Sequence, residues 1–182
     1  MFTNQRAILH VDDDPSVIRL IAARLGEAGY RVESIHSPLE AMDALIAGQY
    51  RVVLLDIDMP HKSGMHLLSE IKAFDGGVQV IMLTGLVNVT TVLETMRNGA
   101  EACLFKPVDD PQPLIDAVAD AFRRTDRWWH SLRDLTQRRK EEQAMIEAAT
   151  RMRSALADPA ATEHAPTADG TPAGGALAAG AN

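Results

Sequence analysis

Five short apolar runs alternate with five helix-forming segments from residue 7 to residue 122, and no other feature of the chain narrows its fold as far. The runs are AILHV (7–11), YRVESIH (30–36), RVVLL (51–55), VQVIML (78–83) and EACLF (101–105). RVVLL and VQVIML carry apolar, mostly β-branched residues on both faces, the pattern of strands covered on both sides of a parallel sheet. Between them lie DPSVIRLIAARLGEAG, LEAMDALIAG, GMHLLSEIKAF and TTVLETMRNG, and a fifth helix opens near Pro111. Asp14 suits an N-cap and Pro15 a first helical turn; Gly29, Gly48 and Gly99 stand where helices should stop. Ser37 and Pro38 mark the opening of the second helix.

Strict alternation predicts an α/β fold with helices on both faces of the sheet. Right-handed crossovers leave few topologies, and the flavodoxin-like, doubly wound order 2-1-3-4-5 is the expected one. Its switch point lies between strands 1 and 3, so the C-terminal ends of those strands should form a crevice. Strand 1 ends in VDDD and strand 3 in LLD, which brings Asp12, Asp13 and Asp56 together. Clustered carboxylates stay ionised when a cation sits among them. An all-oxygen donor set with room for water suits Mg²⁺. Strand 4 ends in Thr84 and strand 5 in Lys106, a hydroxyl and an ammonium at the same edge. Such a set fits phosphoryl transfer, where charge neutralisation and positioning do most of the work. The bland readings are a helix cap for Asp14, solvated loop acids for Asp12 and Asp13, a turn at Lys106-Pro107 and a carbonyl partner for Thr84. For all of them to hold, separate coincidences must fall on four strand ends.

These residues carry a family resemblance over about residues 5 to 122. VDDD, LLDIDMPHKSG, LTG and GAEACLFKP, in that order and spacing, resemble a response-regulator receiver domain of bacterial two-component signalling. The resemblance implies that Asp56 is the phosphoacceptor, taking its phosphoryl group from a phosphohistidine on a sensor histidine kinase or phosphotransfer protein. It implies Asp13 as direct Mg²⁺ ligand, Asp12 as its water-mediated companion and the Asp58 backbone carbonyl as a further ligand. Thr84 would move to meet the phosphoryl group, Lys106 would pair with it, and Lys106-Pro107 would be cis. Receivers usually carry Tyr or Phe three residues before the lysine; here Cys103 stands there, expected as a small buried apolar residue. Phe105, on the same strand face, is then the candidate for an apolar contact near helices 4 and 5.

Two rivals are weaker. Asp56-x-Asp58 resembles the nucleophile motif of haloacid-dehalogenase-like phosphatases, but Pro60 breaks that pattern and the acidic partner lies upstream. His130 in WWHSLRDL lacks the acid and proline that follow a kinase phosphohistidine. A receiver-like module that binds partners without phosphate remains as the alternative.

Charge divides the chain of 182 residues. Residues 1 to 122 hold 17 Asp/Glu against 9 Lys/Arg, which disfavours nucleic acid as a partner of this part. Residues 123 to 157 reverse the balance, with 9 Lys/Arg and 5 Asp/Glu, but acids interleave with the bases and a solvated helical face is expected. That segment has no Gly or Pro and reads as a helical extension, an output or dimerisation arm. Its apolar residues form two sets, one running to Trp129 and Leu132 and one from Met145 through Ala149 and Met152 to Leu156. Trp128 and Trp129, being adjacent, cannot both face one narrow seam. Residues 158 to 182 are Ala-, Gly-, Pro- and Thr-rich and are expected to be disordered. The single cysteine and the lack of a long apolar stretch give a cytoplasmic protein as the expectation. No winged helix or helix-turn-helix fits after residue 122, so signalling by protein–protein contact is expected, with a homodimer through helices 4 and 5 or the C-terminal helix as one form.

Overall fold

The computed structural model describes residues 6–85 and 88–157. Elements alternate as β1 (Ala7–Val11), α1 (Pro15–Glu27), β2 (Arg31–Ile35), α2 (Ala41–Gly48), β3 (Val52–Asp56), α3 (Gly64–Phe74), β4 (Gln79–Thr84), α4 (Val89–Arg97), β5 (Ala102–Phe105) and α5 (Gln112–Ala157). The strands form one parallel sheet in the order β2-β1-β3-β4-β5, as the alternation requires.

Strand alternation sorts the core into two layers. Leu9, Val11, Val53, Leu55, Val80 and Met82 pack under α2 and α3, against Leu45, Leu67, Leu68 and Ile71. Ile8, Val52, Leu54, Ile81 and Leu83 point the other way, against Ile21 and Leu25 of α1 and Leu114, Val118 and Ala121 of α5. Every residue of β3 and β4 is buried. Each fully buried Leu, Ile or Val stabilises by about 1.5–3 kcal/mol, so the sheet centre is where the fold is held most firmly.

Helix ends follow local chemistry. The Asp14 carboxylate accepts the Ser16 amide at 2.7 Å and caps α1, and Ser63 and Asn88 cap α3 and α4 by accepting from His66 and Thr90. Gly29 and Gly99 take φ of +87° and +88° just past α1 and α4, a conformation that costs glycine little. The second helix starts later than the sequence suggests. Ser37 spends its hydroxyl on the Leu39 amide and its carbonyl on the Glu40 amide, making a turn, and α2 begins only at Ala41.

Two compact units are present, one ending at Arg133 and one starting at Asp134. In the first, α5 keeps contact with the sheet beyond residue 122. Phe122 stacks on Tyr30 at 5.7 Å, Arg124 pairs with Glu101 at 2.6 Å, and Thr125 is buried. Trp129 lies half-buried beneath the Arg51 guanidinium, 5.0 Å from the ring centroid, while Trp128 is exposed and meets it edge-on. The tryptophans thus divide as their adjacency demands. The second unit is helical from Asp134 to Ala157, with Leu135, Met145, Ile146 and Met152 exposed. The expected disorder of 158–182 lies outside the described residues. Among the described residues, no helix is long and apolar enough to cross a membrane.

Candidate functional site

Parallel register sets four strand ends side by side. Val11 pairs with Leu55, so Asp12 leaves β1 beside Asp56, the last residue of β3. Thr84 ends β4 opposite Phe105, and Lys106 leaves β5 with its amide donating to the Thr84 carbonyl at 2.8 Å. Asp12, Asp56 and Thr84 are buried and Asp13 is exposed. One carboxylate oxygen each from Asp12, Asp13 and Asp56 falls within 4.8 Å of the others. The Lys106 ammonium bridges two of the acids, 2.7 Å from Asp12 Oδ2 and 2.9 Å from Asp56 Oδ1. The Lys106-Pro107 bond is cis.

Burial and charge set these groups against one another. Burial pushes the Asp56 carboxyl above the usual carboxylate range and the Asp12 charge adds to this, while Lys106 and the Asp58 amide pull it back only in part. Burial acts on Asp12 too. There the facing His10 imidazole, the Lys106 ammonium and the Asp14 amide outweigh it and hold the carboxyl low. Lys106 would be lowered by burial, yet its two carboxylates raise it above the ordinary lysine value. The outcome is one low and one raised carboxyl sharing a single cation. Asp13, Asp12 and Asp56 offer hard oxygen donors and leave coordination positions for water, which fits Mg²⁺.

Asp58 is exposed, and its amide favours the ionised form of the Asp56 carboxyl. Cys103 is half-buried against the layer under α2 and α3, and burial pushes its thiol up, as for an apolar filler. Phe105 is 43% exposed at the sheet's β5 edge. Two residues escaped notice in the sequence. His10 is fully buried with its Nε2 3.7 Å from Asp12 Oδ2, longer than a hydrogen bond, and both ring nitrogens lack hydrogen-bond partners among the described residues. A histidine inside the apolar run AILHV was the available signal. Gly64 packs against the Asp56 backbone so closely that a Cβ there would lie 2.0 Å from the carbonyl oxygen. Only the short spacing from Asp56 hinted at that.

A doubly wound sheet with an acidic, lysine-bridged, Mg²⁺-compatible crevice at its switch point defines the class of protein. The family model described as response regulator receiver domain matches residues 8–119. The chain belongs to the response-regulator receiver family, the phosphoacceptor domains of two-component signalling. It is similar to the phosphoglycerate transport system transcriptional regulatory protein PgtA of Salmonella typhimurium, 33% identical over 123 residues, which is 68% of this chain and 29% of that protein. It also resembles the sensor histidine kinase RcsC of Salmonella typhi, 29% identical over 65% of this chain and 13% of the kinase. The chain therefore spans less than a third of these relatives. Among solved structures, a receiver domain from Clostridium thermocellum is 32% identical with a TM-score of 0.63, covering 66% of this chain and 96% of that one. The CheX–CheY–BeF₃–Mg²⁺ complex from Borrelia burgdorferi matches at 26% identity and a TM-score of 0.61, over 64% of this chain and 88% of that one.

Proposed function

We propose that this chain accepts a phosphoryl group on Asp56 from a phosphohistidine of a sensor kinase or phosphotransfer protein, and passes the signal on by protein–protein contact. The observation that carries this reading is the Asp56 carboxylate at the end of β3, facing Lys106 at 2.9 Å and flanked by two further carboxylates. In the transfer, an Asp56 carboxylate oxygen forms the new P–O bond as the P–N bond to the donor imidazole breaks. Asp13, Asp12, Asp56 and the Asp58 carbonyl would hold Mg²⁺, which neutralises charge on the carboxylates and the phosphoryl oxygens. Lys106 supplies the second positive charge and is already at the acceptor. Thr84, buried at the neighbouring strand end, offers a hydroxyl to the new phosphoryl group. With Cys103 in place of the usual aromatic residue, Phe105 at the exposed β5 edge is the side chain left to report the change to a partner.

Incubation with acetyl phosphate and Mg²⁺ should add one phosphoryl group per chain by intact mass, and Asp56→Asn should add none. Label that persists in Asp56→Asn, or steady turnover of the donor with no phosphorylated chain, would remove the proposal.

Mg²⁺ at a hundredfold over its Kd should stabilise the wild type by about 2.7 kcal/mol. Asp13→Asn should lose most of this increment while keeping the metal-free stability, because Asp13 is exposed and lies outside the Lys106 bridge. Thermal melts with Mg²⁺ and with EDTA read both terms. An unchanged increment in Asp13→Asn would take the ligand role from that residue.

A further inference from the structure

The second compact unit leaves an apolar stripe without an explanation. Leu135, Met145, Ile146 and Met152 are 59–72% exposed on a helix that no other described element of that unit covers. Isolated helices are marginal in water, so a helix with such a face gains by pairing. Within that unit, heptad spacing places Leu135, Arg139, Glu142 and Ile146 at successive d and a positions. Met145 and Met152 fall at the flanking g positions and widen the stripe. No Gly or Pro interrupts the segment from Leu114 to Ala157.

Charge at the centre of this seam decides both the occupant and its direction. In a parallel pair each seam position meets its own copy, so Arg139 would face Arg139 and Glu142 would face Glu142. Two adjacent like-charge layers would then sit in the middle of a short seam. In an antiparallel pair, a positions meet d positions. Setting Leu135 against Ile146 of a second copy then places Arg139 opposite Glu142, with no further adjustment. The two-fold axis repeats every layer, so both charged layers become opposite-charge pairs and a Leu135–Ile146 layer flanks them on each side. The seam is self-complementary in one direction only, as an isologous dimer contact must be.

We propose that residues 135–146 form an antiparallel two-stranded coiled coil between two copies of this chain, with Arg139–Glu142 pairs at its centre fixing direction and register. The contact does not depend on phosphorylation, and it is tested in the full chain with no phosphodonor present. Sedimentation equilibrium should show a concentration-dependent dimer. Arg139→Glu and Glu142→Arg should each raise the dimer Kd about tenfold or more, since each places like charges face to face; the double variant R139E/E142R should return it to near the wild-type value. In a parallel pair all three variants would keep their like-charge layers and their wild-type affinity. At concentrations above each variant's dimer Kd, circular dichroism should give equal helix content. A monomeric wild type, single variants that dimerise as well as the wild type, or a double variant as weak as the singles would each overturn the proposal. In a Cys103→Ala background oxidised with copper-phenanthroline in air, L135C/I146C should form disulfides between positions 135 and 146 of different copies. Disulfides between two copies of position 135 would equally overturn it.

Discussion

Lys106→Met is expected to lower the unfolding free energy at neutral pH without Mg²⁺ by about 3–5 kcal/mol, the range for removing one partner of a buried charge cluster. Lys106 bridges Asp12 and Asp56 at 2.7 and 2.9 Å, and all three side chains are largely withdrawn from water. Methionine fills much of the lysine volume but leaves two buried carboxylates in mutual repulsion. The two carboxylates need a cation between them, so Mg²⁺ should recover part of the loss, and the variant should gain more from the metal than the wild type does. Urea titrations with and without Mg²⁺ measure both differences. Equal stability of variant and wild type at neutral pH would mean that the lysine does not offset the acids.

The pH dependence of that difference follows from the direction of each shift. Lys106 is raised in the folded chain, so its contribution is complete below the ordinary lysine value of 10.5 and disappears as pH climbs through the folded value. Asp12 is lowered, so its contribution is present above 3.8 and fades as pH drops through the folded value. Asp56 is raised by burial and works in the opposite sense, favouring the folded state below 3.8 and weighing against it once ionised. The gap between wild type and Lys106→Met should therefore be widest around neutrality. It should narrow on acidification, as Asp12 and Asp56 take up protons in the variant, and again above the lysine range.

Much of this site could be read from strand endings. Once VDDD and LLD are placed at the ends of adjacent parallel strands, the meeting of Asp12 and Asp56 follows from register alone, and so does the arrival of Thr84 and Lys106. Sheet order was legible because apolar runs and helix patterns alternate without exception. The parts that escaped depend on contacts between distant residues. Trp129 belongs to the first compact unit because Arg51 lies over its ring, and nothing in RRTDRWWHS reveals where Arg51 will be. The late start of α2 was local but turned on competition, since Ser37 can serve as a cap or close a turn, and here it closes a turn. His10 reads as a misfit in AILHV, yet its burial beside Asp12 appears only once β1 is flanked by β2 and β3.

Gly64→Ala is expected to damage both the fold and the phosphoacceptor, although alanine is the better helix former by about 1 kcal/mol. The added Cβ would lie 2.0 Å from the Asp56 carbonyl oxygen and 2.9 Å from the Asp56 carbonyl carbon and Ile57 Cα, all of them backbone atoms. A flexible side chain could swing away from such a contact; this backbone is pinned. The Ile57 amide donates to the Leu83 carbonyl at 3.0 Å, and the Gly64 amide donates to the Ile57 carbonyl at 3.0 Å. On the other side α3 is anchored by Leu67, Leu68 and Ile71, each essentially buried. Either α3 moves outward and thins the packing beneath it, or the end of β3 shifts and carries the Asp56 carboxylate away from Lys106. Overpacking of this kind costs about 1–3 kcal/mol, and a backbone clash belongs at the upper end. Gly26→Ala provides the contrast, because Gly26 lies in α1 and, apart from its own helix turn, no atom of the described residues comes within 4 Å of its would-be Cβ. There the helix preference should act unopposed and stabilise by about 0.5–1 kcal/mol. Urea unfolding of the two variants should thus move in opposite directions, and only Gly64→Ala should lose phosphoryl uptake from acetyl phosphate under conditions where the chain is still folded. If Gly64→Ala matched Gly26→Ala in stability and uptake, the close approach of α3 to Asp56 would not be what sets the carboxylate in place.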